Sequence, residues 1–242
     1  AIISGAGLPL RLPELVKDHE VLIAPIVSSG KACKLIMKHW VKKYQRAPDF
    51  IVIEGALAGG HLGFKKEDLE NQTYQSLEEI FQEVEQVVES FHLNIPIFVA
   101  GGIHQRSDVK YFFELGVDGV QVASRFIPTY ECDASMKYKE AFLKAKKEEV
   151  GLVSSPVGMP GRAFQNAFVQ KTKQEKVPIK KCYQCLTPCN LKTTPYCISR
   201  ALIEAVKGNL DEGLIFTGAY GYMQDHLMHV EEVIHELMED EK

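Results

Sequence analysis

His61 lies within Glu54-Gly55-Ala56-Leu57-Ala58-Gly59-Gly60-His61-Leu62-Gly63, an imidazole among glycines just past an apolar run. An ordinary imidazole titrates near pH ~6.5, so such a residue exchanges protons at neutrality. A lone histidine is more often a surface or satisfied core residue; the glycine setting, which leaves the ring reachable, favours chemistry. Two further turns carry small residues, Gly101-Gly102 and Ala123-Ser124, each after an apolar run. Glycines let backbone N–H groups approach an anion with no Cβ in the way, and a serine hydroxyl adds a donor. One such turn need only be a tight connection, but two on adjacent strands point to a bound phosphate. Cys182, Cys185, Cys189 and Cys197 form a third cluster. Thiols at this spacing can converge on zinc or an iron–sulfur cluster, or can pack as small hydrophobes.

Positioning these groups requires strands that end where they begin. Short apolar runs over Ala1–Ala6, Val21–Val27, Phe50–Ile53, Ile95–Ala100 and Val120–Ser124 alternate with helix-period segments, the signature of parallel strands with crossover helices. Ala32, Leu35, Ile36, Trp40 and Val41 mark one predicted helix face. Ser76-Leu77-Glu78-Glu79 has the form of a capping box opening another helix, and Ser107–Leu115 reads as a third. The expected fold is α/β, a (β/α)8 TIM barrel of which about strands 4 to 8 are visible, with roughly three strands upstream of Ala1. That barrel portion is expected over residues 1–150. Residues 151–242 are expected to form a helical and cysteine-rich extension packed on it: an excursion over Gly151–Lys181, the four-cysteine segment and closing helices. Ala134–Glu149 reads as a charged surface helix, Ile198–Val206 as a helix, and Met223, Leu227, Val230, Ile234 and Leu237 as the stripe of the last one.

The 242 residues are 45% hydrophobic and 25% charged with a net charge of −4. That composition supports a sizeable core and offers no basic field for nucleic acid. No apolar run approaches the ~20 residues that cross a bilayer, and no leader pattern opens the chain. A cytoplasmic metabolite enzyme is expected, with no membrane partner and with a homodimer allowed. Six cysteines in such a chain are not a disulfide framework by default.

Ala58-Gly59-Gly60-His61-Leu62-Gly63, Val99-Ala100-Gly101-Gly102-Ile103 and Gly116-Val117-Asp118-Gly119-Val120-Gln121-Val122-Ala123-Ser124-Arg125-Phe126 resemble three signature stretches of the nitronate monooxygenase family. That family was formerly called 2-nitropropane dioxygenase and includes the flavin-dependent enoyl-acyl-carrier-protein reductase of bacterial fatty-acid synthesis. Gly5-Ala6-Gly7-Leu8-Pro9 resembles its fourth-strand turn, and the likeness continues more loosely through Ser155–Arg162. The resemblance implies an FMN-binding barrel with His61 catalytic. Gly59, Gly60, Gly101, Gly102, Gln121, Val122, Ala123 and Ser124 would contact the cofactor, as would Glu54, which stands where family members often have glutamine. Two activities share that chemistry. One is oxidation of alkyl nitronates with O2; the other is reduction of an enoyl thioester with NAD(P)H as electron donor. A phosphate-binding barrel without flavin, or an inactive fragment, remains a further alternative.

Overall fold

The computed structural model describes residues 1–185 and 189–239. Its elements run β1 (Ile2–Ser4), α1 (Leu12–Leu15), β2 (Ile23–Val27), α2 (Gly30–Tyr44), β3 (Ile51–Glu54), β4 (Gly60–His61), α3 (Lys66–Asn71), α4 (Leu77–Ser90), β5 (Ile97–Ala100), α5 (Arg106–Glu114), β6 (Gly119–Gln121), α6 (Met136–Lys144), β7 (Val150–Ser154), β8 (Pro160–Phe164), α7 (Ala167–Gln174), α8 (Ile198–Val206) and α9 (Val230–Met238). The described chain divides into two compact units, residues 1–56 with 63–122 and residues 57–62 with 123–242.

In the first unit all five apolar runs become parallel strands in the order β1-β2-β3-β5-β6. This order follows the chain without reversal, which is barrel topology; a doubly wound sheet would reverse at a switch point. Ile23, Ile51, Ile53 and Val99 are fully buried, as are Ile36, Met37 and Trp40 from α2 and Ile80 and Val84 from α4. The inward face of α2 differs from the predicted one: Cys33, Ile36, Met37 and Trp40 point in while Leu35 is 48% exposed. Ser29 caps it by accepting from the Ala32 N–H, at 3.2 Å. The capping box at α4 forms as expected, with Ser76 Oγ accepting from Glu79 N–H at 3.1 Å and Glu79 accepting from Ser76 N–H at 2.7 Å. Two aspartates fix the strand starts by one device: Asp49 accepts from Ile23 N–H at 2.7 Å while its own N–H donates to the Ile23 carbonyl, and Asp118 does the same to Ile97.

In the second unit the expected irregular excursion over 151–181 is instead a β-hairpin followed by α7. Strands β7 and β8 pair antiparallel from Val150↔Phe164 to Ser154↔Pro160, and β4 adds to β8 as a third strand. Ala163 bridges to Phe216 on the side away from the hairpin turn. Val153, Ala163, Phe168, Tyr196, Ala201 and Leu214 pack in one cluster, and Tyr138, Phe142, Phe164, Ala205 and Ile215 in another. The helix expected over Ala134–Glu149 is shorter, ending at Lys144, and buries Tyr138 and Phe142. The last helix begins only at Val230, and its buried residues are Val233 and Leu237 while Ile234 is exposed. No helix among the described residues is long and apolar enough to cross a membrane.

Removing the Asp49 carboxylate leaves the N–H of the fully buried Ile23 without its side-chain acceptor. Asp49→Ala is expected to destabilise the protein by about 1–3 kcal/mol, read as a lower urea midpoint at an unchanged m-value.

Candidate active site

Two of the singled-out positions flank one residue at the carboxyl ends of adjacent parallel strands. Glu54 closes β3, Gln121 closes β6, and both register against Ala100 at the end of β5. This is the end of the strands at which barrel enzymes place their chemistry. Gly55 N–H donates to the Ala100 carbonyl at 2.8 Å, and Gly101-Gly102 follow with φ of +96° and +83°, a left-handed pair that side chains would strain. Val122 follows β6 directly. Glu54 is mostly buried without a cationic partner, and burial pushes its carboxyl up to about 7. A protonated carboxyl presents one donor and one acceptor side by side, as a glutamine amide does.

The second unit holds the other set. His61 is fixed by its backbone: Gly60 registers against Arg162 and His61 against Gly161, and Leu62 N–H donates to the Pro160 carbonyl at 2.9 Å. Its Nε2 lies 2.6 Å from Ser155 Oγ, and its ring meets the Phe216 ring edge-on at 5.0 Å. Burial lowers the imidazole pKa from its usual value, so the ring is neutral at pH 7 and able to accept a proton. Gly59 lies against backbone. A Cβ there would stand 2.5 Å from the Thr217 carbonyl carbon and 2.6 Å from Gly218 N, so only glycine fits. Ala123 precedes a 3₁₀ turn over Ser124–Phe126, and Ser124 Oγ accepts from Gly218 N–H at 3.0 Å. Gly59 and Ser124 therefore meet around Gly218. Arg162 adds a 2.6 Å bond to the Ala58 carbonyl, tying the loop before His61 to β8.

Ser155, Phe216 and Gly218 were not singled out from the sequence. Ser155 falls in a stretch of visible family likeness, but nothing local marks its hydroxyl as a partner for a residue 94 positions away. Cys182, Cys185, Cys189 and Cys197 do line one cavity of about 310 Å3, with Tyr183 and Tyr196. All four are free thiols, and no group of three or more His, Cys, Asp or Glu among the described residues is placed to hold a metal ion. Cys189 instead contacts the Thr194 hydroxyl at 3.4 Å, and Cys197 is the residue preceding α8.

The family model for nitronate monooxygenase matches residues 1–240. The chain belongs to the nitronate monooxygenase family. A probable nitronate monooxygenase of Staphylococcus saprophyticus is 31% identical over 126 residues, 52% of this chain and 34% of that protein. The matched stretch thus spans about a third of the curated relative's length. Among solved structures, FabK from Thermotoga maritima superimposes with a TM-score of 0.72 at 22% identity, covering 98% of this chain and 66% of FabK. A nitroalkane oxidase from Streptomyces ansochromogenes gives 0.69 at 17% identity, covering 97% and 62%. At these identities the superpositions establish the shared barrel fold. In this nitronate monooxygenase family member the three glycine-bearing stretches lie at the ends of β5 and β6 and in the loop carrying His61.

The buried Glu54 carries a pH dependence with a defined sign. Its folded pKa of about 7 lies above its ordinary 4.5. The uncharged carboxyl is the form the fold accommodates, so the contribution is complete below the unfolded pKa and is lost as pH rises through the folded one. The full shift corresponds to about 3 kcal/mol. Glu54→Gln is expected to flatten the fall in thermal stability between about pH 5 and pH 8, measured by calorimetry.

Proposed function

We propose that the protein is an FMN-dependent oxidoreductase that oxidises alkyl nitronates with O2, with His61 handling the proton at the carbon bearing the nitro group. The observation that carries this reading is the state of His61: backbone-fixed, neutral, and bonded through Nε2 to a hydroxyl that adds no charge. A neutral imidazole with one nitrogen engaged and one unengaged is the form of a general base. It either removes the proton next to a nitro group or, once protonated, holds the resulting anion.

FMN supplies the redox chemistry when bound. The residues present fit it. The consecutive positive φ values at Gly101 and Gly102 leave their amides without side-chain cover. Ser124 Oγ accepts from Gly218 N–H, and its own hydrogen is available to a phosphate oxygen. Glu54 in its protonated form would meet a polar ring edge without charge repulsion, and Gly59, Gly60, Gln121, Val122 and Ala123 are the remaining contacts assigned by family resemblance. An enoyl thioester reductase using NAD(P)H would call on the same residues, with His61 polarising or protonating the thioester side.

In the full-length protein His61→Ala is expected to keep its yellow flavin absorbance and to lose about 10²–10⁴-fold in turnover of an alkyl nitronate. Because burial depresses the imidazole pKa, the acid limb of kcat/KM is expected below pH 6.5. Unchanged turnover refutes the role of His61. Anaerobic flavin reduction by NADH or NADPH with transfer to an enoyl thioester, and none by the nitronate, assigns the reductase activity instead.

A further inference from the structure

We propose that Ser155 is a positioning residue for His61, a neutral hydroxyl that holds the imidazole in one orientation in both of its protonation states. This inference rests on the catalytic reading of His61 and adds to it a residue that neither family resemblance nor sequence pattern assigns.

Ser155 begins the turn joining β7 to β8. Its backbone is tied across that turn, N–H to the Met159 carbonyl at 3.3 Å and carbonyl to Gly158 N–H at 3.0 Å, so the Cα cannot drift. Its Oγ accepts from Val157 N–H at 3.4 Å and lies 2.6 Å from His61 Nε2, and the residue is only 9% exposed. A hydroxyl carries one hydrogen and two lone pairs. With Nδ1 as the base the neutral ring carries its hydrogen on Nε2, so the hydroxyl accepts from Nε2–H both before and after Nδ1 takes a proton. The ring therefore keeps its partner as it gains and loses a proton. Since the hydroxyl engages Nε2, the nitrogen left for a substrate is Nδ1.

The surroundings explain why a hydroxyl does this work and not a carboxylate. The paired strand Pro160–Phe164 contributes Arg162 as its one ionisable residue, the turn Ser155–Met159 contributes none, and Ile215–Thr217, which carries the Phe216 ring, contributes none. No carboxylate on these three segments raises the basicity of His61. An aspartate at 155 would hold the ring as well, but would favour the imidazolium and remove the free base at neutral pH.

The test uses the full-length protein. In Ser155→Ala, turnover is expected to fall at least about tenfold with KM changed much less and flavin content unaltered, and Ser155→Thr is expected to restore most of it. An independent readout needs no turnover: NMR titration of the His61 ring, assigned by its loss in His61→Ala. The imidazolium loses a charge-assisted acceptor in Ser155→Ala, so its pKa is expected to move further down, to recover in Ser155→Thr and to rise in Ser155→Asp. Wild-type turnover and an unshifted His61 titration in Ser155→Ala overturn this inference alone, provided His61→Ala is inactive. Full activity in both variants overturns the inference together with the catalytic reading beneath it.

Discussion

A strand of two residues cannot hold itself, and β4 exists because the hairpin β7–β8 offers it an edge. Gly60↔Arg162 and His61↔Gly161 set its register, and Leu62, fully buried, anchors the residue that follows. Side chains alternate across a strand, so a slip of one residue would turn the imidazole to the opposite face and bring Leu62 out of its buried place. The Arg162 guanidinium on the Ala58 carbonyl and the approach of Gly59 to Thr217–Gly218 fix the same loop from its other end. The geometry at Ser155 and Phe216 follows from this one pairing.

Glu54 and His61 share an electrostatic character although they differ in chemistry. Both are partly buried, and in each the dominant effect is the cost of desolvating the charged form. The acid is pushed up to about 7 and the base is pushed down, so each favours its uncharged form more than it would in water.

The parallel strands were legible in the sequence because buried strands in such sheets are apolar on both faces, and β2, β3 and β5 appear as unbroken runs of that kind. The capping box at Ser76 and helix α8 at Ile198–Val206 were legible because their signals are local. The hairpin was not. Its strands contain Gly151, Ser154, Pro160, Gly161 and Arg162, so neither alternation nor β-branched enrichment announces them, and their pairing is settled by tertiary contacts. The phase of α2 was misjudged because Leu35 and Val41 are as apolar as the residues that face in. His61 and the glycine turns could be found from composition and spacing. The Ser155 hydroxyl could not, since its significance lies in a fold-made contact.

His61 and Ser155 lie 94 residues apart in the chain, and the hexapeptide 57–62 belongs to a different compact unit from the residues before and after it. No single uninterrupted stretch of the gene therefore encodes either unit. A recombination break at residue 122 would carry the histidine away from its hydroxyl while leaving all five parallel strands intact. All five parallel strands thus lie on one side of that break, whereas the His61–Ser155 contact draws on residues from both sides of it.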